Sequence, residues 1–318
     1  MATEERGAMK YFLVVNPRSA NGITGRRWPE VHAKLAAALG PCEHRFTDGP
    51  MDAMRISRQA LEEGYDCIVA VGGDGTINEV VNGFFREGDG AAAINPNAAL
   101  AVLPRGTGGD FRKTFGWDAE LKQAVERLTG AGTQPLDVGV VDYVDHQRQA
   151  TRRYFVNICS FGVSGLVDQE VNQRSKVLGG KLSFAVGSLR ALLKYRDAPV
   201  RIAVDGRPPE AMAVTTLAAA NGQYFGGGMK VAPDADPADG KLDVTIWSGY
   251  SIVDFALKSR ALYDGTHVRL RGTRQLRCEQ LSAESADGRE VLLDVDGEQP
   301  GKLPCRIRIL PAAIRLKT

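Results

Sequence analysis

The segment Gly72-Gly73-Asp74-Gly75-Thr76 is where residue type and order most plainly suggest chemistry. Glycines let backbone N–H groups approach a phosphate closely, and a helix N-terminus behind them adds partial positive charge. An aspartate inside such a loop repels phosphate unless a bridging Mg²⁺ or a proton transfer makes use of its charge. The bland alternative is a βα turn whose aspartate caps the helix. Two more loops have the same character: Asn16-Pro17-Arg18-Ser19-Ala20-Asn21-Gly22 and Gly106-Thr107-Gly108-Gly109-Asp110-Phe111. Carboxylates stand beside glycine turns at Asp74, Asp110, Asp234 and Glu298. Phosphoryl transfer to a hydroxyl uses these parts. It needs a positioned γ-phosphate, Mg²⁺ and cations to neutralise it, and a base at the alcohol.

The common nucleotide signatures are missing. No GxxxxGK[ST] occurs, and GDGTIN fails GxGxxG because Asn78 stands where the third glycine belongs. P-loop NTPases and Rossmann dehydrogenases are thereby disfavoured.

The elements that must position these loops follow from periodicity. Tyr11–Asn16, Cys42–Thr47, Asp66–Val71 and Ala99–Leu103 read as strands, the clearest of them short apolar runs of the buried parallel kind. Between and after them, Trp28–Leu39, Met51–Glu63, Ile77–Arg86 and Ala119–Leu128 read as helices. Alternation of this sort predicts an α/β domain with a parallel sheet, its glycine loops at the carboxyl ends of strands, where ligands bind in such sheets. After about Gly132 the pattern turns β-rich. Strands are expected at Val138–Tyr143, Tyr154–Cys159, Val200–Val204, Ala213–Ala219, Leu242–Trp247, Val268–Leu270, Leu276–Glu279, Val291–Val295 and Arg306–Leu310. Helices are expected at Lys176–Tyr195 and Ser251–Tyr263. The predicted division is 1–134 for a nucleotide-binding α/β domain and 135–310 for a β-rich acceptor domain, with residues 311–318 returning to the first.

Composition excludes several classes. The chain has 318 residues, enough for two domains, with 43% hydrophobic and 25% charged residues. A formal charge of +2 gives no general reason to bind nucleic acid. The longest apolar run, Ala211–Ala220, contains Thr215 and Thr216 and is far short of a membrane span. MATEERGAMK has acids and no apolar core, so no secretory leader is expected there. Cys42, Cys67, Cys159, Cys278 and Cys305 are widely spaced, without a CxxC pair, and read as buried thiols in a reducing compartment.

VGGDGTINEVVNG (Val71–Gly83), with NPRSANG before it and LPRGTGGDF after it, resembles the diacylglycerol kinase catalytic domain. That superfamily includes bacterial soluble diacylglycerol kinases, YegS-like lipid kinases, and sphingosine and ceramide kinases. FGVSG (Phe161–Gly165), Asn221–Val244 and DVDGE (Asp294–Glu298) resemble later blocks, so the likeness runs from about Lys10 to Lys317. The resemblance implies an α/β domain, a β-rich domain, ATP and Mg²⁺. It implies ATP contacts at Asn16, Pro17, Arg18, Ser19, Ala20, Thr47, Gly72, Gly73, Asp74, Gly75, Thr76, Ile77 and Asn78. Gly106, Thr107 and Gly108 extend that set. It implies Glu298 as general base and Asp74 as the residue orienting Mg²⁺ or the γ-phosphate. It also implies a structural metal on Asp239 with main-chain oxygens of Asp236 and Lys241. The residues themselves leave Glu298 and Asp239 open to a turn role, since Asp-Gly is a frequent turn. Two departures stand out. Gly109 replaces the usual Asn, and Ser19-Ala20 replaces the usual Ser-Gly.

The expected function is transfer of the γ-phosphate of ATP to a membrane lipid, diacylglycerol first and a sphingoid base or ceramide second. Rival readings are a soluble NAD or sugar-phosphate kinase and a non-catalytic nucleotide-binding module. The basic run His267, Arg269, Arg271, Arg274, Arg277 would meet an anionic membrane surface or form a solvated strand face. The expected partner is thus membrane lipid and not nucleic acid. The expected place is the cytoplasm, at the inner membrane face, and a homodimer is compatible with this reading.

Overall fold

The computed structural model describes residues 9–86, 88, 92–106, 108–165 and 197–318. The helical segment expected at Lys176–Tyr195 lies outside the described residues. The chain divides into two compact units. The first comprises 1–109, 117–136 and 312–318, and the second 110–116 and 137–311.

The first unit alternates strands and helices: β1 (Tyr11–Val15), α1 (Ile23–Leu39), β2 (Glu43–Phe46), α2 (Asp52–Glu62), β3 (Cys67–Gly72), α3 (Asp74–Gly83) and β4 (Ala99–Pro104). The short α4 (Asp110–Thr114) belongs to the second unit, and α5 (Leu121–Thr129) returns to the first. The strands pair in parallel in the order β2-β1-β3-β4. Every residue of β3 and β4 is buried, because both faces of the sheet are covered. Leu13, Val15, Val69, Val71, Ala101 and Leu103 face Trp28, Val31 and Leu35 of α1 and Ala124 and Leu128 of α5. The opposite face meets α2 and α3, which are joined by the Ser57 hydroxyl donating to the Val80 carbonyl (3.0 Å).

Helix α3 starts at Asp74, three residues ahead of the expected Ile77. Gly72 therefore ends β3, Gly73 is the N-cap, and Asp74, Gly75 and Thr76 form the helix's own first turn. Helix α1 likewise starts at Ile23 and not at Trp28, since Pro29, a residue typical of helix starts, lies inside it.

The second unit is a β-sandwich. One layer contains β5 (Thr133–Asp145), β6 (Ala150–Phe155), β8 (Ala198–Val204), β9 (Glu210–Val214), β15 (Gln280–Ser285) and the start of β17 (Gly301–Lys317). The other is antiparallel in the order β14-β13-β10-β7-β16, formed by Thr273–Cys278, Leu242–Trp247, Thr216–Ala220, Ile158–Gly162 and Leu293–Val295. Phe155, Val200, Ile202, Leu281 and Ile307 from one layer meet Phe161, Leu217, Ala219 and Val244 from the other. A small hairpin, β11 (Tyr224–Phe225) with β12 (Met229–Lys230), and the helix α6 (Ile252–Asp264) complete the unit. The end of β17 pairs in parallel with β4 in the first unit, Arg315 opposite Ala99.

Three expected strands came out differently. Tyr154–Cys159 breaks into β6 and β7 at Val156-Asn157, where a distant carboxylate takes the backbone N–H groups. Ala213–Ala219 breaks at Thr215 into β9 and β10. Val268–Leu270 lies in and just after a 3₁₀ turn, Thr266–Arg269, with His267 buried against Trp247.

Candidate active site

The carboxyl ends of the parallel strands lie level, with Val15 opposite Val71 and Phe46, and Val71 opposite Leu103. Everything that follows β1, β2, β3 and β4 therefore gathers at one sheet edge. Asn16 ties the first loop to the second: its N–H donates to the Val71 carbonyl (2.9 Å) and its side-chain amide to the Thr76 hydroxyl (3.1 Å). The same side chain accepts from the Arg18 N–H (3.0 Å), and the Ser19 hydroxyl donates to the Asn16 carbonyl (2.9 Å). Pro17 packs so closely on α1 that a Cβ at Gly25 would lie 3.0 Å from its ring. Thr47, buried at the end of β2, donates its N–H to the Val15 carbonyl (2.9 Å).

Glycine is required at the crossing of the second and third loops. A Cβ on Gly106 would lie 2.6 Å from the Gly73 Cα, and one on Gly72 would lie 2.3 Å from the Thr76 hydroxyl. Gly73 has an extended backbone (φ −95°) that any residue adopts, so its glycine is a matter of space. The Arg105 N–H closes the crossing by donating to the Gly72 carbonyl (2.7 Å). A Cβ on Gly108 would meet the Asp74 carboxylate at 3.2 Å, which puts that carboxylate over the third loop. Thr107 lies outside the described residues. Gly109 has φ 64°, the left-handed region that Asn and Gly tolerate best, so its replacement of the usual Asn keeps the backbone course.

Asp74 and Gly75 occupy the first turn of α3, and the N-cap Gly73 makes no side-chain capping bond. The backbone N–H groups of that turn suit an anion such as a phosphate chain. Ile77 and Asn78 are buried, Asn78 completely, and the Asn78 carbonyl accepts from the Asn82 amide (2.8 Å). The Asn78 side-chain oxygen accepts from the same amide (3.3 Å). Arg105 is a cation that motif reading passed over. It follows β4 directly, and burial near Arg27 lowers its pKa from the usual arginine value. A guanidinium with part of its hydration removed, carried by a residue at this sheet edge, is suited to act as counter-charge to an anion. The signal in the sequence was its place between Pro104 and Gly106.

Among the described residues, no three His, Cys, Asp or Glu side chains gather as a metal site. Mg²⁺ beside a nucleotide needs no such cage, because it takes one or two carboxylates and fills its shell with phosphate oxygens and water. Asp74 beside the N–H groups of α3 fits that requirement.

In the second unit, Glu298 closes a two-residue hairpin. Val295 and Glu298 exchange backbone bonds (2.8 and 3.1 Å) across Asp296 (φ 51°) and Gly297 (φ 87°), both left-handed as a type I′ turn demands. The Asp296 carboxylate accepts the N–H groups of Val156, Asn157 and Ile158 (3.0, 3.1 and 2.8 Å). Asp294 accepts from the Gly297 N–H (2.8 Å) and the Ser160 hydroxyl (3.0 Å). Glu298 itself is exposed at the tip of this anchored turn. Asp110 accepts from the Gly227 N–H (2.8 Å) and pairs with Lys113 (2.8 Å), which is a structural duty.

Asp236, Asp239 and Lys241 share one turn. There the Lys241 N–H donates to Asp239 Oδ1 (2.9 Å), and Asp239 Oδ2 pairs with the Arg277 guanidinium. Of the basic run, Arg274 pairs with Glu210 (2.9 Å) and Arg277 with Asp239 and Asp243, while Arg269 and Arg271 are exposed.

Known proteins resemble the chain in both units. Residues 10–141 match the family model of the diacylglycerol kinase catalytic domain, and residues 157–318 match the YegS C-terminal NAD kinase beta sandwich-like domain. The diacylglycerol kinase of Bacillus subtilis is 26% identical over 293 residues, spanning 92% of this chain and 90% of its own. That of Mycobacterium tuberculosis H37Rv is 25% identical over 316 residues, spanning 96% and 94%. A crystal structure from Bacillus anthracis, of a protein assigned as a diacylglycerol kinase, superposes with a TM-score of 0.73. It is 25% identical and covers 97% of this chain and 96% of its own. The chain belongs to the diacylglycerol kinase catalytic-domain family. It is a kinase of the lipid-kinase class, and the family implies ATP as phosphoryl donor.

Proposed function

We propose that this chain transfers the γ-phosphate of ATP to the hydroxyl of diacylglycerol, giving phosphatidic acid. The observation that carries the reading is the meeting of three glycine-bearing loops around Asp74 at the N-terminus of α3. The names of its relatives support diacylglycerol as acceptor. In this reading the phosphates lie against the first-turn N–H groups of α3, with the Arg105 guanidinium as counter-charge. Mg²⁺, when bound, neutralises charge across the phosphate oxygens, and Asp74 is the carboxylate that would hold it. Glu298 accepts the hydroxyl proton as the acceptor oxygen bonds to the γ-phosphorus. The bond from that phosphorus to the bridging oxygen breaks, and ADP leaves with the electron pair.

The acceptor is met at an anionic membrane surface. Among the described residues no helix is long and apolar enough to cross a membrane. Support for a surface encounter comes from α6, where Val253, Leu257 (80% exposed) and Tyr263 present apolar side chains to solvent. Arg260, Arg269 and Arg271 are exposed nearby in sequence. Apolar insertion beside basic residues is how peripheral helices bind anionic lipid.

The test is phosphate transfer from labelled ATP to vesicles containing diacylglycerol, sphingosine or ceramide, with products identified by mass. Phosphatidic acid, formed faster on anionic than on neutral vesicles and less so at high salt, is expected. Product on sphingosine or ceramide alone would replace the acceptor. Phosphorylation of NAD or a sugar phosphate without lipid would replace the substrate class.

A further inference from the structure

The turn from Asp236 to Lys241 has the composition of a cation site, and the chain fills that role itself. Arg277 lies directly opposite Asp243 on the neighbouring antiparallel strands β14 and β13. Its Nε donates to Asp243 Oδ2 (3.3 Å), and its Nη2 reaches past to Asp239 Oδ2. One planar fork thus serves two carboxylates on separate elements, which a guanidinium does well and a lysine does not. Asp243 is buried and needs this partner. Burial pushes its carboxyl up, and Arg277 is the largest influence pulling it back down.

The rest of the turn is satisfied without an ion. The Gly240 N–H donates to Asp137 Oδ2 (2.6 Å), and the Asp137 N–H donates to the Pro237 carbonyl (2.7 Å). Asp236 takes the Ala238 N–H on its side chain (3.0 Å) and the Asp239 N–H on its carbonyl (3.4 Å). The Lys241 ammonium pairs with Glu279 (2.7 Å), so a second cation flanks the turn. A divalent ion on Asp239 would have to sit beside the guanidinium and compete with it for the same carboxylate. With the guanidinium in place, the charge such an ion would need on Asp239 and Asp243 is already neutralised.

We propose that Arg277 is the resident cation of the Asp236–Lys241 turn, so that the β-sandwich holds this region without a divalent metal. Any Mg²⁺ requirement of the kinase then belongs to the nucleotide alone. The role of Arg277 does not depend on which lipid is phosphorylated.

Thermal unfolding of the full chain without nucleotide or lipid tests it, in EDTA and then in millimolar MgCl₂ or CaCl₂. The wild-type midpoint is expected to stay within about 1 °C between these conditions, while Arg277→Gln falls by about 3–6 °C in EDTA. Added Mg²⁺ or Ca²⁺ should lift Arg277→Gln and leave Arg277→Lys, which keeps the charge, unmoved. An Arg277→Gln chain that folds only with a divalent ion counts for the proposal. Two results overturn it. One is an Arg277→Gln midpoint equal to wild type in EDTA. The other is a wild-type fall of several degrees on chelation that persists in Asp74→Ala and vanishes in Asp239→Asn.

Discussion

The two units build their turns from opposite materials. At the sheet edge of the first unit the turns come from missing atoms. Gly73 and Gly106 let two backbones touch, Gly72 makes room for the Thr76 side chain, and a single Cβ on Gly106 would lie 2.6 Å from a neighbouring Cα. In the second unit the turns come from added carboxylates. Asp296 gathers three N–H groups, Asp137 holds Gly240, and Asp205 accepts from both Glu279 and Gln280 (3.0 Å each). The difference bears on what an aspartate beside a glycine means. In the first unit Asp74 stands in the first turn of α3, and the proposed function gives its charge a chemical use there. In the second unit an aspartate beside a glycine is by default an anchor.

The sharpest way to break that contrast is Asp74→Ala. Alanine is a good helix former at the first turn of α3, so the fold should survive. Turnover should fall by more than about 10²-fold, as when a preorganised charge at the reacting phosphate is removed. Retention of over a tenth of wild-type turnover at saturating Mg²⁺ would make Asp74 one more anchor. Glu298→Gln asks the matching question of the second unit. A positioned base contributes roughly 10²–10⁴-fold, so turnover at saturating lipid should drop by that factor with ATP affinity kept. Near-normal turnover would return Glu298 to the status of a hairpin residue. A parallel loss of ATP affinity, read by calorimetry, would move it to the nucleotide.

Asp296→Ala should show the reverse pattern, a structural loss ahead of a chemical one. Three N–H groups at the β6–β7 break lose a charged acceptor, worth about 2–4 kcal/mol of stability once water replaces part of it. Denaturant unfolding should register this as a lower midpoint, while Glu298→Gln leaves the midpoint unchanged. Equal midpoints for the two variants would mean that the anchor is not holding the turn.

These contrasts mark how far the sequence could be read. The strand–glycine–helix order of the first unit was legible because its signals are local: buried apolar runs, then glycines, then a helical period. The start of α3 was misplaced by three residues because glycine hides a helical first turn from any propensity argument. The break at Asn157 was invisible for another reason. Its cause, Asp296, stands 139 residues away in the chain. Glu298 could be picked out only through family likeness, since the I′ turn that carries it is satisfied by Asp-Gly whatever follows. The same non-locality hid Arg277 as the partner of Asp239, which basic clustering had suggested for a membrane. The short α4 was missed because five residues have no period to read.

The smallest expected effect lies in the first loop, where the rule of missing atoms is broken once. Ala20, Asn21 and Gly22 are all left-handed (φ 51°, 54° and 78°), and only Gly22 adopts this freely. Asparagine tolerates it, but the Cβ of Ala20 meets a backbone carbonyl there, a strain of about 1–2 kcal/mol. Glycine at that position would relieve the strain and return roughly 0.5–1 kcal/mol as greater freedom of the unfolded chain. The balance predicts that Ala20→Gly raises stability by about 0.5–1 kcal/mol, seen as a higher denaturant midpoint at unchanged m-value. The KM for ATP should change by less than about twofold, since the backbone course around Asn16 and Ser19 is already the one glycine would take. A lower midpoint would show that Ala20 is held by its methyl group and not in spite of it. The first loop would then be built, like those of the second unit, from contacts its side chains make.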